Sequence, residues 1–442
     1  MDIIREGDKR VFDIIGRKTI KDGHEYRLSV YTYCYSSNGH HIIFSTLTGE
    51  IVSLSDSEWS LVDPDKNPVI SGGSISGKGF ETLTNSCILV YREDDDYERY
   101  QLAVSILKAM DKKKGVHTYT ILPTTGCNAR CIYCYEEGMM VSAMTESTAD
   151  QVVEFISKTR GDEEISISWF GGEPLVGSKI ISRICSGLNA KGIPFKSKMV
   201  TNASLVTPEL LDEAVNNWHL KKVQVSADGA RCDYEARKLY ADPQKHNYDR
   251  LLEAVGMFLE RDIKVTLRCN YDHNNVEGMY SFWEDIYNRY GSTDKLKIYA
   301  AMLFQEHVSD GCIELGRRML ELKYKAIKNG ILHSEISEEP FKMKTNYCMA
   351  DSDGRSIVIT PEGDLYHCEH LPGNTSFGNI SDENITFTSD KRAFDEVNVK
   401  CRNCKYLPYC TPFYCNGCPN AFEYCCQVKD AETEVRLENL YC

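Results

Sequence analysis

The chain is short of positive charge. Against 65 Asp and Glu it has 51 Lys and Arg, a formal net charge of −14 over 442 residues. It has no basic stripe interleaved with aromatics, which argues against a nucleic-acid binder. Long apolar runs are also missing; no stretch approaches the ~20 residues of a membrane span. The opening Met1-Asp-Ile-Ile-Arg-Glu-Gly-Asp has no apolar core of a signal peptide. No internal repeat or low-complexity tract is evident. These absences predict a cytoplasmic protein that engages neither nucleic acid nor membrane. The length predicts two to four domains.

What the chain has in excess is cysteine. Nineteen cysteines in a cytoplasmic chain point to metal or redox chemistry, not to a disulfide scaffold. They concentrate at two places. The first is Cys127-Asn-Ala-Arg-Cys131-Ile-Tyr-Cys134, entered from the strand-like run His117-Thr-Tyr-Thr-Ile-Leu-Pro-Thr. Three thiolates on one short loop can hold three irons of a [4Fe–4S] cluster, leaving the fourth open to a small molecule. A structural zinc wants four ligands, and no fourth Cys or His lies near. A disulfide does not use three close thiols.

This stretch resembles the CxxxCxΦC signature of radical S-adenosylmethionine (SAM) enzymes. Tyr133 fills the aromatic place and Tyr135 follows. The resemblance implies a cluster whose open iron binds SAM through its amino and carboxylate groups. It also implies reductive cleavage of SAM to methionine and a 5′-deoxyadenosyl radical, which abstracts a substrate hydrogen.

Residues 111–330 alternate between strand and helix patterns. Strands are expected at His117–Thr124, Ile165–Phe170, Phe195–Asn202, Lys221–Ala227, Ile263–Tyr271 and Leu296–Phe304, with helices at Thr148–Thr159, Pro208–Asn217 and Tyr248–Arg261. Such alternation means an α/β fold with βαβ units and a parallel sheet, and six units fit the partial (β/α)6 barrel of the resembled superfamily. Active sites on parallel barrels sit at the carboxyl ends of the strands. The distinctive residues fall there. Gly171-Gly172-Glu173-Pro174 ends the second strand and matches the motif that holds the SAM amino group. Its glycines permit close backbone approach, and Glu173 offers an acceptor for an ammonium. Asn202 ends the third strand. Ser226-Ala-Asp228-Gly and Arg237 resemble the S-x-D-G…R pattern, in which the serine meets the SAM ribose and the arginine meets its carboxylate; a guanidinium fork suits a carboxylate. Asp228 faces cofactor or substrate, or caps a turn. Asn270, near the fifth strand end, is a further candidate. The sixth strand lacks the glycine-rich adenine pattern of some members, so adenine contacts stay unassigned. Cys34, Cys87, Cys185, Cys232, Cys269 and Cys312 read as small core hydrophobes.

In residues 1–110, the run His41 to Ser55 reads as a hairpin turning at Thr48-Gly49. A helix start follows at Ser55-Asp-Ser-Glu58, then a loop from Gly72 to Gly79. A strand at Ile88–Tyr91 precedes a helix running through Met110. The segment resembles the winged helix-turn-helix that recognises leader peptides in peptide-modifying enzymes, which implies a leader strand pairing with a sheet edge. The alternative is a plain cap on the catalytic domain.

The second cysteine concentration lies in residues 331–442, beyond a bridging helix expected over Gly311–Asn329. A zinc ribbon at Cys401-Arg-Asn-Cys404 has weight, yet zinc leaves too many thiolates over. Cys348, Gly363, Cys368, Cys401, Cys404 and Cys410 follow the order of the SPASM domain, which binds two auxiliary [4Fe–4S] clusters. Then the match slips. Tyr414 stands where a cysteine is expected, and Cys418, before Pro419, is the displaced ligand, with Cys415 its rival. The resemblance implies a first auxiliary cluster on Cys348, Cys368 and Cys418. A second would use Cys401, Cys404, Cys410 and either Cys425 or Cys426; Cys442 is also open. Glu369, directly after Cys368, is a candidate base, or else a solvated surface carboxylate.

The reading is therefore a radical SAM enzyme with three [4Fe–4S] clusters and SAM. It acts as a peptide maturase on a leader-bearing precursor and draws electrons from a flavodoxin- or ferredoxin-like protein. A cysteine thioether is the expected bond. Carbon–carbon or ether cross-links, or formylglycine formation in a sulfatase, are the alternatives.

Overall fold

Alternating apolar residues set the first 110 residues into two small antiparallel sheets. Along the chain come β1 (Asp2–Arg5), α1 (Lys9–Ile15), β2 (Glu25–Leu28), β3 (Thr32–Ser37), β4 (His40–Ser45), β5 (Ile51–Leu54), α2 (Asp56–Val62), β6 (Ile70–Ser71), α3 (Lys78–Asn85), β7 (Leu89–Tyr91) and α4 (Asp96–Met110). One sheet has the order β1-β5-β4-β3, the other β6-β2-β7. The expected hairpin is β4–β5, with Phe44 opposite Ile51. Ser55 caps α2, and Glu58 returns a bond to the Ser55 backbone in a reciprocal capping box. The expected loop Gly72–Gly79 is shorter than read. Gly72–Ser74 is a 3-10 turn, and α3 has begun by Lys78.

The computed structural model describes residues 1–17, 19–37, 39–75, 78–110, 115–303, 305–306, 310–332, 343, 355–371, 375–387, 399–410 and 422–441. They form two compact units. The first joins the N-terminal region to Met343 and residues 399–410. Within it Leu407 is buried among Val11, Tyr31, Leu47, Cys87 and Tyr100. The Tyr31 hydroxyl donates to the Arg402 carbonyl at 2.7 Å, and the Thr46 hydroxyl donates to the Lys405 carbonyl. Cys401, Cys404 and Cys410 lie on successive tight turns: Cys404 N bonds Cys401 O, and Cys410 N bonds Tyr406 O.

The second unit is an α/β layer. Its strands are β8 (Thr118–Ile121), β9 (Ala129–Cys131), β10 (Ile165–Trp169), β11 (Phe195–Thr201), β12 (Leu220–Ala227), β13 (Lys238–Tyr240), β14 (Lys264–Tyr271), β15 (Leu296–Met302), β16 (Ser356–Ile359), β17 (Asp364–Tyr366) and β18 (Gly378–Asn379). All six expected strands form and lie parallel in chain order, β8-β10-β11-β12-β14-β15. Apolar residues such as Ile165, Ile167 and Trp169 and helix residues such as Ile181, Ile184 and Leu188 make one core. The expected helices appear as Glu146–Thr159, Pro208–Asn216, Tyr248–Glu260 and Cys312–Lys328.

A seventh parallel strand, β16, was not anticipated; it adds to the free side of β8 and continues as an antiparallel hairpin to β17. Its buried run Ile357-Val358-Ile359 and the turn ending at Gly363 are its signal. Cys185, Cys269, Cys312 and Cys87 are buried as expected, but Cys232 is exposed. Its helix, Arg231–Arg237, buries Tyr234 and Arg237 instead. No described helix is long and apolar enough to cross a membrane.

Candidate functional site

The cysteine loop leaves the carboxyl end of β8 and is held from two sides. On one, its middle is a strand: β9 pairs antiparallel with β13, setting Cys131 opposite Lys238, Arg130 opposite Leu239 and Ala129 opposite Tyr240. The ladder is extended by Ile132 N to Arg237 O and Ala241 N to Asn128 O. The arginine of the S-x-D-G…R pattern is thus fixed beside the cysteines by main-chain bonds.

On the other side lies the glycine motif. Gly172 N donates to Thr124 O and Glu173 N to Gly126 O. Gly171 has φ +122, and a Cβ there would run into the Thr124 carbonyl; one on Gly172 would meet the Gly126 and Thr125 carbonyls at 2.5 Å. The close approach these glycines permit is made to the cysteine loop itself.

Glu173 is fully buried. Its carboxylate accepts from Leu175 N at 3.1 Å, Thr201 Oγ1 at 2.7 Å and Asn202 N at 2.8 Å. Burial raises its pKa despite those bonds. Glu173 therefore braces the end of β10 to the end of β11. Pro174 opens the following 3-10 turn. The Asn202 amide donates to Asn128 Oδ1 at 2.9 Å and lies 3.9 Å from Cys127 Sγ.

The three thiols are half-buried and free. Burial pushes Cys127 up to about 11, against the opposing pull of the Ala129 amide and Lys238. Cys134 is raised by the same cause. Among the described residues, no three Cys, His, Asp or Glu side chains converge on one point as a metal ion would need. A tetrahedral zinc requires such convergence; a four-iron cluster takes one thiolate per iron.

Asp228 is fully buried at the end of β12. It accepts from the Tyr133 hydroxyl and from Asn270 Nδ2 at 3.0 Å, and its carbonyl accepts from Asn275 at 2.8 Å. Asn270 also donates to the Tyr133 hydroxyl at 3.3 Å. The aromatic of the cysteine motif is thus bound to two strand ends of the sheet. Ser226 is half-buried one turn of the pleat away.

Arg237 is buried, with Nη1 donating to Asp272 Oδ2 at 2.7 Å and its guanidinium 5.4 Å from the centre of the Tyr133 ring. Its Nε and Nη2 are buried with no partner among the described residues. Two parallel donors left open on a guanidinium are the complement of a carboxylate. Together with three half-buried thiols on one loop, that donor set fits a cluster carrying SAM. Asp272, Asn275 and Lys238 were missed from sequence. Asp272 and Asn275 follow the fifth strand end, where polar residues deserve suspicion in a parallel sheet. Lys238 had no signal except adjacency to Arg237.

The Cys368 segment reaches the same neighbourhood. The Tyr135 ring stacks on His370, centroids 4.9 Å apart. His370 N donates to Cys368 Sγ at 3.4 Å, and Glu369 Oε2 lies 3.8 Å from that sulfur. Cys348, Cys415, Cys418 and Cys442 lie outside the described residues, as do the side chains of Cys425 and Cys426 on the C-terminal helix Phe422–Tyr441.

Residues 121–277 match the family model of the Radical SAM superfamily. An uncharacterised protein of Methanocaldococcus jannaschii is 26% identical over 279 residues, 61% of this chain and 91% of its own length. The radical SAM cyclopropyl synthase TigE of Paramaledivibacter caminithermalis is 19% identical over 356 residues, 73% of each chain. Among solved structures, anSMEcpe with bound AdoMet and Cp18Cys peptide superposes with a TM-score of 0.54 at 16% identity, over 73% of this chain and 98% of that one. The span matched by the family model holds the whole cysteine loop, the glycine motif and the Arg237–Asp272 pair, so the chain carries a radical SAM domain and is an enzyme.

Proposed function

We propose that the enzyme is a radical SAM peptide maturase that installs an oxidative cross-link in a ribosomally made, leader-bearing precursor. The observation that carries this reading is the Tyr135–His370 stack, which sets Cys368 and Glu369 beside the cysteine loop. A carboxylate and a second metal-binding thiol next to a radical source suit a reaction that must shed an electron and a proton. The peptide bound in anSMEcpe supports a peptide substrate.

A [4Fe–4S] cluster on Cys127, Cys131 and Cys134 would supply one electron to the sulfonium of SAM, yielding methionine and a 5′-deoxyadenosyl radical. The chain's own groups then have separable tasks. Arg237 offers Nε and Nη2 to the SAM carboxylate while Asp272 fixes its plane. Glu173 and Asn202 hold the strand ends against the cysteine loop. The backbone of Gly171–Pro174 meets the SAM amino group, Ser226 the ribose, and Tyr133 with Asp228 backs the cofactor. Glu369 accepts the proton released from the substrate as its new bond forms.

Auxiliary clusters, one on Cys368 with Cys348 and Cys418 and one on Cys401, Cys404, Cys410 and Cys425 or Cys426, would accept the electron lost by the substrate radical. A flavodoxin- or ferredoxin-like protein is the reductant. The outer edges of the four-stranded sheet are β1 and β3, and a leader strand adds to one of them. The bond is a thioether from a substrate cysteine. A carbon–carbon bond is the second reading, favoured by the relative named a cyclopropyl synthase.

The test is mass spectrometry of a precursor peptide encoded beside the gene, after anaerobic turnover. A loss of two hydrogens with one fewer alkylatable thiol is expected. The same loss with every thiol alkylatable selects the carbon–carbon bond. An unmodified peptide in the presence of SAM cleavage overturns the maturase reading.

A further inference from the structure

Lys238 is a lysine in an unusual place. Its side chain is 4% exposed, and its Nζ lies 3.6 Å from Asp228 Oδ2, a carboxylate with no exposure. The same Nζ stands 5.5 Å from the centre of the Tyr133 ring. The β9–β13 ladder puts its backbone directly opposite Cys131. A buried ammonium is costly unless opposed by negative charge. Asp228 is its one ion-pair partner among the described residues, and at 3.6 Å the contact is longer than a hydrogen bond. The other groups that feel its charge are Tyr133, Cys131, Tyr240, Tyr234, Glu173, Cys127 and Cys134. Burial disfavours the ammonium, and the Asp228 carboxylate is the largest of the groups that favour it.

The ammonium offsets the buried Asp228 carboxylate only across a 3.6 Å gap, so the two do not close into a tight hydrogen-bonded pair. The neighbouring Tyr240 in β13 buries without a charge, and Arg237 already has Asp272. In the ladder Lys238 is paired with Cys131, and its charge is felt at Cys127 and Cys134 as well, so it acts on whatever the three thiols hold. The potential of an iron–sulfur cluster depends on net charge, solvent exposure and bonds to its sulfurs. One-electron reduction adds a negative charge, which a fixed nearby cation stabilises.

We propose that Lys238, balanced by Asp228, is a fixed counter-charge that sets the reduction potential of the cluster on Cys127, Cys131 and Cys134. The pair works as a trimmed charge: the ammonium favours the reduced cluster, and the carboxylate limits the effect. This rests on the cluster assignment made above. Lys238 is thus a positioning residue, acting through the electrostatic field at the cluster.

The measurement is an EPR-monitored redox titration of anaerobically reconstituted full-length protein, following the reduced-cluster signal that changes on adding SAM. Lys238→Met should move the midpoint to more negative potential. About tenfold in the reduced-to-oxidised ratio is expected, ~59 mV for one electron, the size of a unit charge removed at about 10 Å in an effective dielectric of about 20. Asp228→Asn should move it the opposite way. Lys238→Arg should leave it near the parent value. Iron content is measured on every variant. A parent that binds no iron at the triad overturns the cluster assignment itself. A loaded Lys238→Met with an unshifted midpoint overturns only the role of Lys238. If Lys238→Met fails to load, Asp228→Asn decides alone: an unchanged or more negative midpoint there overturns the proposal.

Discussion

The ring of Tyr135 lies flat against that of His370, with centroids 4.9 Å apart and planes 18° from parallel. One residue follows the third cysteine of the triad; the other comes two residues after Cys368. A stacked pair contributes about 0.5–1.5 kcal/mol beyond its burial, enough to hold the Cys368 segment in register with the radical source. Tyr135→Leu keeps bulk and loses the stack. It should leave SAM cleavage running while modified peptide per 5′-deoxyadenosine falls several-fold. Chromatography of both products from one reaction checks this, and an unchanged ratio would detach His370 from the chemistry.

Replacing Cys127, Cys131 and Cys134 together with Ala should abolish 5′-deoxyadenosine formation and remove roughly a third of the iron, from about twelve atoms per chain. Parallel iron and zinc assays on anaerobically prepared protein check it. Zinc in place of iron would defeat the cluster assignment.

The motifs were legible because they are local and chemically marked. The triad, Gly171–Pro174 and Ser226–Asp228 each announce themselves within a few residues, and strand-helix alternation told where each would fall. What escaped is what the tertiary fold alone brings together. Asp272 matters because Arg237 reaches it across two strand ends. Lys238 matters because a three-residue ladder sets it opposite Cys131. Both are ordinary charged residues in one dimension. The strand Ser356–Ile359 escaped for another reason: it is only four residues long, and its parallel partner β8 lies far back in the chain.

Gly171 and Gly172 are spacers for the cysteine loop, so their replacement should act on the cluster before it acts on SAM. Gly171→Ala meets the Thr124 carbonyl and an unfavourable φ together, a strain of about 1–3 kcal/mol. It should lower both thermal stability and iron retention. A variant with full iron and weakened SAM binding would instead confine the role of the glycines to the SAM amino group.

Glu173→Gln tests the brace. All three of its neighbours are donors, so an amide nitrogen must face at least one of them, costing about 1–3 kcal/mol. The pH dependence has a definite sign. Burial raises the folded pKa above the unfolded one, so the protonated form is favoured in the fold. That stability is complete below the ordinary glutamate range, about 4.3, and is lost as pH rises through the folded value. The parent's advantage over the Gln variant should therefore shrink from acid toward neutral pH. Anaerobic denaturation at several pH values checks it; an advantage that grows with pH would mean the three bonds outweigh burial.

The N-terminal unit should matter to metal content as well as to peptide binding. Its core includes Leu407, packed with Leu47, Val11 and Tyr100, on the same short segment as Cys401, Cys404 and Cys410. The turns that present these thiols are anchored to it by the Tyr31–Arg402 bond and by Thr46. Leu47→Ala opens a cavity in that core at about 2–5 kcal/mol. Leu54→Ala should cost a similar amount in the neighbouring cluster around Val52 and Leu83, which holds no residue of 399–410. If the three thiols ligate an auxiliary cluster, Leu47→Ala should lose up to a third of the iron, whereas Leu54→Ala should keep it. Leader affinity, read by fluorescence anisotropy of a labelled leader peptide, should fall in both. Equal iron in the two variants would place the second auxiliary cluster elsewhere, while equal leader affinity to the parent in both would reduce the unit to a scaffold for the cysteines.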